Sequence, residues 1–119
     1  MKVLYKDSKV KKICTDEKLA IKKLGKDIAT RLFAAINLLL NAKNLKDILV
    51  FPQYKLHLLK GNYKGVYSMY LGKTTGFRLL LIPLDKDEKV VETEDMSVYT
   101  ITVCVEIMEV SKHYEKWNK

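Results

Sequence analysis

Residues 55–83 read KLHLLKGNYKGVYSMYLGKTTGFRLLLIP, and this stretch decides the fold. Turns at 62–64, flanked by glycines, and at 72–75, opening on Gly72, divide it into three short strands at 55–60, 65–71 and 76–82. The third strand is apolar apart from one charge, Arg78. A guanidinium on a sheet is costly to bury unless an anion meets it, either a carboxylate of the same chain or a phosphate from outside. Glu106 is the candidate carboxylate. For a phosphate, a rigidly held arginine is the cation with the best-matched geometry.

Upstream, residues 2–5 form a plausible first strand. From Lys9 the apolar positions Val10, Ile13, Cys14, Ala20, Ile21 and Leu24 fall on one helical face, with Asp7 or Ser8 to cap the start and Gly25 to end it. A second helix at 26–40 turns Ile28, Leu32, Ala35, Ile36 and Leu39 inward. Its other face carries Phe33, Ala34 and Leu38, which implies a wide core contact or a groove for a partner. Residues 41–54 read as a connector. Downstream, the charged and mostly acidic segment 85–96 lacks core periodicity and is expected to be exposed and mobile. Residues 99–109 alternate strictly, with Ile101, Val103, Val105 and Ile107 inward and Thr100, Thr102, Cys104 and Glu106 away. The tail SKHYEKWNK leaves this strand as a turn or short helix.

This order predicts one α+β domain over residues 1–119: an N-terminal strand, two helices, then a four-strand antiparallel sheet with a short C-terminal tail or helix. The helical pair covers one sheet face, and the other face is left to carry function.

A chain of 119 residues with 48% apolar and 30% charged content suits a globular protein with a real core. The net charge of +8 favours nucleic acid, an acidic partner or an anionic surface. The KVLYKD after Met1 lacks the apolar run of a secretory signal, so none is expected, and the apolar runs at 33–40 and 79–84 are too short to span a membrane. Cys14 and Cys104 lie in periodic segments, as expected of buried thiols in a reducing cytoplasm. Without a CxxC pair, and with two distant histidines, no metal site is expected. Phosphate-loop, nucleophile-elbow and HExxH motifs are missing as well, and no cofactor is implied.

The remaining chemistry is cationic and imidazole chemistry. Arg78 leads; Lys60 and Lys64 flank a turn, and Lys112, His113 and Tyr114 follow the last strand. His57, between Leu56 and Leu58, reads as a structural hydrogen-bonding residue.

KLHLLKGNYKGVYS resembles the R-x-H-x-L-K-G-x-x-x-G-x-Y-S signature of HigB-like toxins in the RelE/ParE superfamily, with Lys55 in the arginine's place. GFRLLLIP is similar to that family's aromatic-Arg-Leu strand, and EVSKHY to its terminal E-I-V-D-Y-H. The segment LAIKKLGKDIA agrees with its helical turn. The resemblance implies a small microbial-RNase-like fold and the toxin of a type II toxin–antitoxin module. It implies a metal-independent endoribonuclease that cuts mRNA at the ribosome and inhibits translation. Its partners would be mRNA, the ribosome and a helix-turn-helix antitoxin that is acidic or has an acidic arm, with no membrane involved.

Mapped onto this chain, the resemblance makes Arg78 the phosphate-binding arginine and puts His113 and Tyr114 at the terminal proton-transfer site, in inverted order. Of these two, the imidazole is favoured, since it exchanges protons near pH ~6.5. Lys60, Lys64 and Lys112 would hold the RNA backbone, with Tyr67 or Tyr70 stacking a base. Ser68 and Tyr70 stand where other branches place catalytic lysines, so a lysine base does not transfer. A ParE-like inhibitor of DNA gyrase and an inactive antitoxin-binding module remain the alternatives.

Overall fold

The structure is a computed structural model that describes residues 1–60 and 65–112. Its centre is a five-stranded sheet in the order β1-β5-β4-β3-β2, formed by β1 (Lys2–Tyr5), β2 (His57–Leu58), β3 (Tyr67–Tyr70), β4 (Arg78–Leu84) and β5 (Cys104–Ser111). The α+β class agrees with the sequence. The sheet is mixed, because β1 runs parallel to β5 while the other neighbours are antiparallel. The expected four-strand antiparallel sheet is thereby corrected. The first strand joins the sheet at its edge, reached by a crossover through the helices.

The helix expected over 9–24 is two helices, α1 (Ser8–Thr15) and α2 (Glu17–Leu24). Asp16 breaks it. Its carboxylate accepts from the Leu19 N–H at 3.1 Å, and its backbone is extended at φ −111°. A short acidic side chain that satisfies the next turn's free N–H stabilises a break where apolar periodicity alone would run on. Asp7 caps α1 in the same way, accepting from the Val10 N–H at 2.9 Å. Gly25, at φ +87°, ends α2 and opens α3 (Lys26–Asn41). The buried face of α3 contains the expected Ile28, Leu32, Ala35, Ile36 and Leu39.

The connector 41–54 has structure of its own: a helical turn α4 (Lys46–Leu49) and a 3₁₀ turn at Pro52–Tyr54. Leu45 and Ile48 are fully buried, and the Leu45 N–H donates to the Thr102 carbonyl at 3.1 Å. Nor is 99–109 one strand. Val98–Ile101 forms a turn of helix, α5, which leaves Ile101 exposed and buries Thr102, whose hydroxyl donates to the Val98 carbonyl. Beyond it Val105 and Ile107 are buried in the core as expected, while Cys104, expected to face away, is buried as well. The register then shifts at a bulge, where Leu80 pairs with Glu109 but Leu81 with Ile107, making Met108 the extra residue. The shift brings Ser111 opposite Arg78.

The segment 85–96 is mostly exposed, but it does meet the core. Val91 is buried and donates its N–H to the Pro83 carbonyl at 3.0 Å. Val90 bridges to Leu84.

The main core lies between the helices and one sheet face, where Leu32 and Leu39 meet Tyr67, Met69, Leu79, Leu81, Val105 and Ile107. The other face is not wholly open. Leu59, Val66 and Leu80 are buried there, with Ile82 and Met108 packed on them. This small cluster leaves the polar part of the face at the Arg78 end. Among the described residues, no helix is long and apolar enough to cross a membrane.

Candidate functional site

Arg78 opens β4 and pairs with Tyr70 on one side and Ser111 on the other, so all three residues share the face turned away from the helices. Its guanidinium carbon lies 3.8 Å from the centroid of the Tyr70 ring, and Nη1 donates to the Phe77 carbonyl at 3.0 Å. Stacking and this hydrogen bond restrict the side chain while leaving it partly exposed. The carboxylate suggested from sequence is elsewhere: Glu106 pairs with Ile82, two rows along the sheet from Arg78. Glu109, opposite Leu80, is one row away.

Two further residues reach Tyr70 from the start of β2. Lys55 follows the 3₁₀ turn in the left-handed conformation, at φ +42°, and its Nζ lies 5.5 Å from the Tyr70 centroid. The His57 ring meets Tyr70 edge-on, with centroids 6.1 Å apart. His57 Nδ1 is 2.7 Å from the Lys55 carbonyl oxygen. A carbonyl can only accept, so Nδ1 donates this bond. Ser68, opposite His57, is fully buried. Lys112 follows Ser111, with its Nζ 5.6 Å from the Phe77 ring.

Arg78 and Tyr70 are therefore brought together, and Lys55 and His57 join them, while Lys112 lies beside the Phe77 ring. Tyr67 is not part of this group. It faces the helices, is 3% exposed and packs edge-on against Tyr99. Burial pushes its phenol up to about 12, and it has no ring face to offer a base. Lys60 is exposed but stands beyond Leu59 at the opposite end of the β2–β3 pair from Tyr70. Lys64, His113 and Tyr114 lie outside the described residues.

His57 is the residue that sequence reasoning set aside. Its signal was its sequence distance from Ser68, which fits an antiparallel pair and sets it next to Tyr70 on the same face. Among the described residues, no group of histidine, cysteine or carboxylate side chains could hold a metal ion.

Comparison with protein-family models, curated proteins and solved structures returns no significant match.

The arrangement combines a restrained guanidinium, one lysine and an imidazole around one aromatic ring, at a sheet end with a basic excess. Such a group can grip a phosphate, stabilise added negative charge on it and move a proton beside it.

Proposed function

We propose that this chain is a toxin of the HigB-like RelE/ParE type, an endoribonuclease that cleaves mRNA without a metal and so inhibits translation. The observation that carries the reading is Arg78, restrained on Tyr70 with His57 beside the same ring. In RNA the 2′-hydroxyl attacks the adjacent phosphorus, and the protein has to orient the strand, take a proton and stabilise the added charge. Arg78 serves the charge, and the exposed lysines at 55 and 112 serve the backbone. His57, edge-on to the same Tyr70 ring, is the imidazole best supported for the proton. His113 and Tyr114, which the family resemblance implies for proton transfer, follow Ser111 and Lys112 in the chain and are the second candidates for that role. An acidic antitoxin is the corresponding partner, since silencing a chain of charge +8 calls for a counter-charge.

The test is to incubate the pure protein with translating ribosomes in the presence of a chelator and to map the new RNA ends. Discrete ends that vanish with Arg78→Ala are expected. Intact RNA together with inhibited gyrase supercoiling would overturn the reading in favour of a ParE-like inhibitor.

A further inference from the structure

Beside the Arg78 group, a cleft of about 830 Å³ runs round the end of the sheet between α3, the 3₁₀ turn at Pro52–Tyr54 and the β3–β4 turn. Tyr70 lines it, so one ring belongs both to this cleft and to the cation cluster on the sheet face. Arg31, Lys55 and Lys73 also line it, as does Tyr54, and among the described residues no carboxylate does. Asp27 approaches from α3, where its Oδ1 accepts from Arg31 Nε at 3.1 Å, and its side chain is 71% exposed. That bond engages one edge of the guanidinium and leaves the Nη groups to other acceptors.

The position of Arg31 depends on Gly72. A Cβ at residue 72 would lie 3.2 Å from both Cδ and Cζ of Arg31 and 2.7 Å from Thr75 Cγ2. The glycine's φ of +97° is itself unfavourable for any other residue. Backbone and guanidinium therefore approach closely on a wall made for that contact.

We infer that this cleft is a second nucleic-acid subsite, which holds the one or two nucleotides of single-stranded RNA adjoining those gripped at Arg78. The inference rests on the RNA-directed reading above. The chemistry on the walls matches that ligand: two tyrosines and three cations line the cleft, aromatic rings for bases beside charges for a backbone. The cleft is continuous with the Arg78 group through Tyr70, so a strand lying across Arg78 and passing that ring enters it. A role in affinity and strand register follows, separate from the bond-breaking step.

The experiment measures binding of an all-2′-O-methyl oligonucleotide, which cannot be cleaved, by fluorescence anisotropy across a salt series, alongside cleavage of the matching RNA. The variants are Arg31→Lys with Lys73→Glu, which keep the stem over Gly72 and alter an exposed turn, and Lys18→Ala on α2 as a control. The cleft variant is expected to bind about tenfold more weakly, with the logarithmic salt slope reduced by about 0.7 per lost phosphate contact. At saturating RNA its cleavage rate should stay close to that of the native chain. Unchanged affinity and slope beside normal cleavage would overturn the subsite and leave the nuclease reading standing. Loss of affinity in the cleft variant, with RNA left whole even by the native protein, would keep the subsite and overturn the nuclease. No binding by the native chain would overturn both.

Discussion

Arg78 and Tyr70 are direct cross-strand partners, and the guanidinium of one lies 3.8 Å from the ring centroid of the other. The pair turns a flexible cation into a directed one, since contact with the ring restricts the guanidinium. Replacing Arg78 with alanine should lower RNA cleavage by about 10²–10³-fold while leaving the circular dichroism spectrum native. Arg78→Lys should recover little of the loss, because an ammonium cannot grip two oxygens from a stacked plane. An insoluble Arg78→Ala protein, or full activity in Arg78→Lys, would refute this.

Removing the ring itself separates orientation from charge. Tyr70→Leu keeps an apolar side chain beside Arg78 but removes the π-face, a contact of about 0.5–1 kcal/mol at partly exposed sites. Cleavage should fall several-fold and single-strand affinity should fall with it, since the same ring lines the neighbouring cleft. Equal affinity in the two proteins would count against a base stacking there.

Proton transfer distinguishes the two histidines. His57→Ala should lose roughly 10²–10⁴-fold in cleavage, the usual contribution of a general acid or base. His113→Ala and Tyr114→Phe are expected to be milder. The reverse order would return the role to the terminal pair, and three mild variants would end the acid–base account.

Burial pushes the Cys14 thiol and the Tyr67 phenol each up to about 12. Both are neutral acids held in the core, with folded values above their unfolded ones of about 9 for a thiol and 10 for a phenol. Their contribution to stability is full below pH ~9 and is lost as pH rises from there through about 12, because the unfolded chain gives up these protons first. The melting temperature should therefore fall through that alkaline window. In Cys14→Ala the fall between pH ~9 and ~10 should be shallower, with the Cys104 thiol, which burial also pushes up, still contributing. A decline unchanged by that substitution would show that the Cys14 thiol does not take part.

The segment 85–96 provides a stability test of its own. Its buried Val91 should make Val91→Ala destabilising by about 1 kcal/mol, whereas changes at exposed Glu92 should be close to neutral. Replacing the whole segment with a short turn should lower the melting temperature by several degrees. A shortened chain as stable as the parent would mean that Val91 adds nothing.

The sequence made Arg78 legible because a single charge in an apolar run has few structural excuses. The inward stripe of α3 was legible for a similar reason, since its spacing fits only one helical face. His57 was not, because a histidine between leucines acquires meaning only once the register sets it beside Tyr70. The break at Asp16 was hidden because apolar periodicity continued through it, and only the carboxylate's reach to the Leu19 N–H decides the matter. Residues 99–103 alternate like a strand yet begin with a helical turn, where Asp95 accepts from the Ser97 N–H and hydroxyl. The bulge at Met108 leaves no mark in composition, although it governs which way Ser111 faces. Val91 escaped notice as one apolar pair in an acidic run.

The parallel pairing of β1 with β5 has a consequence for the timing of synthesis. Lys2 finds its partner in Cys104, a residue made long after it. At translation rates of about 5–20 residues per second, the first strand waits roughly 5–20 s for the last. Ser111, which borders Arg78, arrives with that last strand. A growing chain on the ribosome therefore lacks the completed Arg78 face until β5 docks, and the activity proposed for that face is withheld from the ribosome that makes it.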